Sequence, residues 1–170
     1  MSKRSEIKPL LSLAAPVTLS FLANMIMQIV DTYFVGKLGP HAIGCVSIGN
    51  ALFFTFMVVG MGTTFGLDFL VSHAFGAKKI DECHKSFIQA LYVSTAVSVL
   101  FGVMMVFFAF HLDWLGIEAS LVTGSKNYLI ILALSLWPFL VFSSSRQYLQ
   151  AMGVATPILY VLAASNIVNA

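Results

Sequence analysis

The feature that leaves this chain the fewest folding options is the length of its uncharged stretches. Residues 9–35, 42–72, 86–110 and 127–145 each carry at most one charged side chain, and a fifth such run opens at Pro157. A bilayer core of about 30 Å takes roughly 20 helical residues, so the first four runs are long enough to cross it. Their apolar residues do not alternate strictly, so the pattern of a lipid-facing barrel strand is missing. Only 9% of the chain is charged and 59% is hydrophobic, against about 25% charge in a soluble domain. The expectation is an all-α integral membrane protein with five transmembrane helices at about 9–35, 42–72, 86–110, 127–145 and 157–170. The fifth run holds 14 residues, or about 21 Å of helix. It is therefore expected to be a truncated span, as in a piece of a longer chain.

Loop charges set the expected orientation. With one crossing per run, the N-terminus shares a side with the 76–85 and 146–156 connections. That side holds Lys3, Arg4, Lys8, Lys78, Lys79, Lys85 and Arg146, whereas the other holds Lys37 and Lys126. Seven basic residues against two place the N-terminus in the cytoplasm of a multi-pass cell-membrane protein, plasma or inner. The first run is too long for a signal-peptide core and is read as an uncleaved span. Cys45 falls within a span and Cys83 in a loop, with no metal or disulfide spacing between them.

Polar residues inside the runs carry the functional information. Asp31 is the only charged residue between Pro9 and Val35. On insertion scales a mid-membrane carboxylate costs about 2.5–3.5 kcal/mol, and such residues usually face a cavity on an ion or proton pathway. Ser20, Asn24, Gln28 and Asp31 follow one another at helical spacing on one face. Asn24 and Gln28 serve equally well as interhelical glue, and Pro16 on the same helix is a candidate bend. The second run carries Gly62 and Gly66 as a GxxxG pair, and the third carries Ser94, Ser98 and Gly102 at steps of four. Both stripes are expected at close helix contacts. Asn50 and the Thr63–Thr64 pair either line a pore or bond across helices. Asp68, with His73 and Lys78 following, is expected in an ion pair at a helix end. Tyr128, Ser135 and Pro138 give the fourth run some polarity and a kink, and Asn166 and Asn169 fall in the fifth.

Enzyme signatures are absent. His41, His73, His84 and His111 are scattered without paired-ligand spacing. "GPHAIGC" has Cys45 where a phosphate-binding loop needs Lys. The expectation is no catalytic centre, no resident metal and no cofactor, leaving a carrier driven by an ion gradient.

Three stretches together resemble one family. "PVTLSFLANMIMQIVDTYFVGKLG" is similar to the first helix of the multidrug and toxic compound extrusion family, with its Pro, polar position, V-D-T and G-x-L-G turn. "GLDFLVSHAFGAKK" resembles that family's end of helix two, and "SRQYLQAMGVATP" its segment between helices four and five. The resemblance implies twelve helices in two six-helix lobes, of which this chain would supply five from the first. It implies export of organic cations or drugs in exchange for protons or sodium, with a proton or sodium gradient as the energy source. Asp31 would couple to the proton or cation, with any sodium ion near it. Asn24 and Asn169 map to supporting polar positions, and Gln28, Asn50 and Tyr128 complete the candidate cavity lining. The implied partners are small organic cations, the bilayer and a second lobe of the same polypeptide, with no nucleic acid. A lipid-precursor flippase of the same wider superfamily, or a non-transporting membrane subunit, is the alternative. A flippase would line its cavity with arginines, and beyond the N-terminus this chain has only Arg146.

Overall fold

The structure, a computed structural model, describes residues 25–154 together with residues 18, 22, 157, 158, 160, 161, 164 and 165. The described residues are helical apart from short turns, and no strand occurs among them. The helices are α1 (residues 25–37 within the described part), α2 (Pro40–Gly76), α3 (Ile80–Phe110) and α4 (Ala119–Ala151). The last three are long and apolar enough to cross a membrane. Four of the five expected helices are thus seen. The fifth falls largely outside the described residues, although those described between 157 and 165 are helical.

The helices outrun the uncharged stretches that signalled them. At 1.5 Å per residue, the 37 residues of α2 reach about 55 Å and the 33 of α4 about 50 Å, well beyond a 30 Å core. Asp81, Glu82, Lys85, Lys126 and Arg146 therefore sit on helices rather than in loops. Cys83, expected in a loop, lies in the first turn of α3 and is fully buried, its Sγ 3.8 Å from the Val71 carbonyl. Arg146, expected at a loop edge, lies half-buried on α4.

Local chemistry explains where each helix stops. Pro40 opens α2 at a position where its missing N–H costs nothing. At its other end Lys78 adopts a left-handed φ of 60°. The Lys79 N–H then reaches Ala74 O at 3.0 Å, and the Lys78 N–H reaches Phe75 O at 2.9 Å. This paired bonding is a Schellman closure, with lysine where glycine is usual. Asp81 and Glu82 follow in the first turn of α3, where negative charge complements the helix dipole. The α3–α4 connection is a single 3-10 turn, Leu112–Leu115, ended by Gly116 at φ 70°. Helix α4 runs on through Pro138; proline is tolerated in a spanning helix because neighbours re-satisfy the freed carbonyl.

The chain divides into residues 1–37 with 153–170, and residues 38–152. In the second unit α4 packs on both α2 and α3, which also meet each other. One cluster joins Met105 and Ala109 to Leu129, Ala133, Leu136 and Leu140. Another joins Leu67, Val71 and Ala74 to Cys83 and Tyr148. Between helices in lipid there is no hydrophobic drive, so close packing and polar contacts hold the unit together. The serine stripe of α3 behaves as expected: Ser94 and Ser144 bond at 2.7 Å, and a Cβ on Gly102 would lie 3.6 Å from Ala133 O. The glycine pair of α2 does not. Gly62 and Gly66 are exposed, and a Cβ on either would meet nothing within 4 Å. The buried face of α2 instead runs through Cys45, Gly49, Gly60, Thr64, Leu67 and Val71. There a Cβ on Gly60 would come within 3.2 Å of Leu140, and one on Gly49 would strike the Tyr128 ring.

Candidate functional site

The candidate site residues fall in both units, and each unit is described by itself. Pro16, Asn24 and Asn169 lie outside the described residues. In the first unit, the apolar pattern of residues 25–37 winds α1 so that Gln28 and Asp31 are one turn apart, both exposed on that helix. The Thr32 hydroxyl donates back to the Gln28 carbonyl at 2.8 Å, occupying its own proton within the helix. Gln28 and Thr32, with Met25, Ile29 and Tyr33, line an open groove of about 540 Å³. Asp31 stands beside this lining and makes a contact of its own. At the end of α1, Lys37 Nζ stands 4.5 Å from the Tyr33 ring centre and 5.4 Å from that of Phe34, a cation–π arrangement. The basic side chain is thereby folded back along α1 over these two rings.

In the second unit the structure brings Asn50 and Tyr128 together. The Tyr128 hydroxyl donates to Asn50 Oδ1 at 3.0 Å, tying α4 to α2. Gly49 next to Asn50 makes room for the ring, so the dipeptide supplies both the space and the acceptor. About 20 Å further along the same interface, Gln147 Nε2 donates to Thr64 Oγ1 at 2.6 Å, and the Thr64 hydroxyl donates to Met61 O at 2.8 Å. Asn50 and Thr64 therefore each bond across helices. Thr63 turns its hydroxyl back to Gly60 O at 2.6 Å. Among the described residues, Ser143 Oγ, Arg146 Nε and Gln147 Oε1 are buried without a hydrogen-bond partner.

Asp68 departs from expectation. Among the described residues the ion pair is Lys79–Glu82 at 2.9 Å on the surface, a contact of small worth. Asp68 is exposed on α2 and pairs with neither His73 nor Lys78, and His73 stacks on Phe69 instead. Sequence reasoning also passed over Gln147 and Ser144, which bond to Thr64 and Ser94. Their signal was present: each is an uncharged polar residue on α4 whose partner sits on a stripe of small or hydroxyl residues. Among the described residues, no group of three or more His, Cys, Asp or Glu side chains is placed to hold a metal.

Comparison with known proteins points one way. The MatE family model matches residues 16–170. A probable multidrug resistance protein NorM of Synechocystis is 25% identical over 98% of this chain and 36% of its own length. A probable multidrug resistance protein NorM of Streptococcus pneumoniae is 27% identical over 94% of the chain and 35% of its own. The multidrug resistance protein NorM of Photobacterium profundum is 25% identical over 91% and 34%. The chain spans about a third of the length of the curated relatives it matches. No solved structure gives a significant match.

Proposed function

The chain belongs to the MatE family, and on that premise we propose that the whole protein is a secondary antiporter exporting organic cations or drugs from the cell in exchange for protons or sodium. The family is one of transporters, not enzymes. The observation that carries the reading is Asp31, an acidic residue on a helix otherwise built for lipid, one turn from Gln28 and the groove that Gln28 lines. An exporter of cations needs a group that holds positive charge on one side of the membrane and releases it on the other. A carboxylate does this when a proton, a sodium ion or the substrate can each neutralise it in turn. Only one occupies it at a time, and that exclusion is the coupling. By the family resemblance, Asn24, Gln28 and Asn169 would supply hydrogen bonds around it, and Pro16 would be the candidate bend. In the 38–152 unit, Asn50 and Tyr128 remain candidate polar positions on α2 and α4, joined by their own hydrogen bond. A second lobe, supplied by the same polypeptide, would close the cavity.

The test is transport by the intact protein in sealed vesicles. A fluorescent organic cation should leave or enter against its gradient when a proton or a sodium gradient is imposed, and collapsing that gradient should stop it. Movement indifferent to both gradients would remove the antiport reading.

The same proposal places the N-terminus and the α2–α3 turn in the cytoplasm, and the α3–α4 connection outside. Fully buried Cys83 reports nothing about sidedness, so introduced cysteines are needed. An impermeant thiol reagent applied to intact cells should modify Ser120→Cys and spare Lys78→Cys until the membrane is opened. The opposite pattern would invert the topology.

A further inference from the structure

We infer that the outer groove between α3 and α4 is a phospholipid site, one acyl chain lying in the groove and the headgroup phosphate resting on Lys126. Val99, Val103 and Val106 form one wall and Ala133, Leu134 and Trp137 the other, around a space of about 370 Å³. Gly102 keeps it open, since its missing side chain exposes the floor against Ala133.

Both ends of the groove are defined by side chains. At the inner end the Trp137 indole N–H donates to Thr95 Oγ1 at 3.2 Å, bridging the two helices and closing the slot. Beyond the lined space in the other direction, one turn past Val106, Lys126 places its ammonium 3.7 Å from the centre of the Phe110 ring, again bridging α4 to α3. Lys126, Ala133 and Trp137 recur at steps of seven and four, and Phe110, Val106, Val103 and Val99 at steps of four, three and four. Each set is therefore one helical face. From Phe110 to Val99 is about 16 Å of helix, the depth of one leaflet of a 30 Å core. The lined space thus starts about one turn inside a half-buried cation near the helix ends and stops at the Trp137–Thr95 bridge.

Charge decides the occupant. Lys126 makes no ion pair among the described residues, so its positive charge rests on the Phe110 ring alone, with no anion beside it, close to an apolar slot. A phospholipid offers the matching pair, an anionic phosphate at that level and a methylene chain below it. A helix packed there would bury the ammonium without an anion. Net-anionic headgroups are favoured.

The test uses the full-length protein in lipid nanodiscs containing phosphatidylglycerol with a photoactivatable diazirine midway along one acyl chain. After irradiation, peptides covering residues 98–106 and 133–137 should carry more label than the exposed stretch of α2 around Val58 and Val59. Label should fall about five-fold for Lys126→Gln, or when phosphatidylcholine carries the probe, and be kept by Lys126→Arg. Gly102→Leu should exclude the chain. Equal labelling of α2 and the groove would mean bulk lipid only. Absent label, with a disulfide forming between Val103→Cys and a cysteine on another helix, would make a helix the occupant. Either result overturns the site, and because both are read on proteins with the native groove floor, misfolding of Gly102→Leu leaves the test intact.

Discussion

Asp31→Asn is expected to leave membrane insertion and folding unchanged while reducing gradient-driven export by the intact protein to the level of empty vesicles. The substitution keeps shape and hydrogen-bonding capacity and removes a charge whose insertion costs about 2.5–3.5 kcal/mol, so the polypeptide should enter the bilayer at least as well. What disappears is the group that proton and cation compete for. Substrate should still bind weakly through the remaining polar and aromatic lining, without any response to an imposed proton or sodium gradient. Asp68→Asn is the control. Asp68 lies eight residues before the end of α2, about 12 Å along a helix that projects past the hydrocarbon. Its carboxylate is exposed and makes no ion pair among the described residues. Its loss should therefore change transport less than two-fold, an effect of about 0.4 kcal/mol. Wild-type export with an unchanged pH profile in Asp31→Asn would show the carboxylate to be structural.

Gly49→Val is expected to produce the largest loss of stability in the 38–152 unit. A Cβ at Gly49 falls on the edge of the Tyr128 ring, so either the ring leaves Asn50 or α2 and α4 separate. Overpacking of this kind costs about 1–3 kcal/mol, equivalent to a fall of roughly 3–10 °C in Tm for a chain of this size. Two contrasts identify the cause. Tyr128→Ala on top of Gly49→Val should recover much of the loss, because the two positions are coupled through one contact. Gly62→Ala, which meets nothing within 4 Å, should stay within about 0.5 kcal/mol of the parent. Equal destabilisation at Gly49 and Gly62 would refute this account of how α2 packs.

These two glycines also show how much could be read in advance. Spans follow from hydrocarbon thickness, so uncharged length located α2, α3 and α4 correctly. It missed their ends because Lys78, Asp81, Glu82, Lys126 and Arg146 sit where helices meet or leave the headgroups, and a helix does not stop when lipid does. The spacing of Ser94, Ser98 and Gly102 pointed to a contact because hydroxyls in lipid need partners. Gly62 and Gly66 had the same spacing without a polar reason to face inward, and the burial face of α2 was decided by Leu67, Val71 and the need to seat Tyr128 against Gly49. Asn50 and Thr64 were ambiguous for a different reason. Whether an amide or hydroxyl lines a path or bridges helices depends on its partner, and Tyr128 and Gln147 lie 78 and 83 residues away in sequence. Asp31 and Gln28 were legible as a pair because they share a turn. Pro16, Asn24 and Asn169 lie outside the described residues, so the wider constellation rests on the family resemblance.

The three-residue turn between α2 and α3 has a mechanical consequence. Ala77, Lys78 and Lys79 are themselves locked by hydrogen bonds into the last turn of α2, which leaves almost no slack between the helices. Sliding α3 by a single helical turn would demand about 5.4 Å of free chain, and releasing it would mean breaking the left-handed closure at Lys78. At that end of the hairpin the two helices are pinned like the blades of closed scissors at their rivet. Under the proposed transport cycle, α2 and α3 would move as one lever, with any parting confined to the end where Gly39 and the Leu112–Leu115 turn lie.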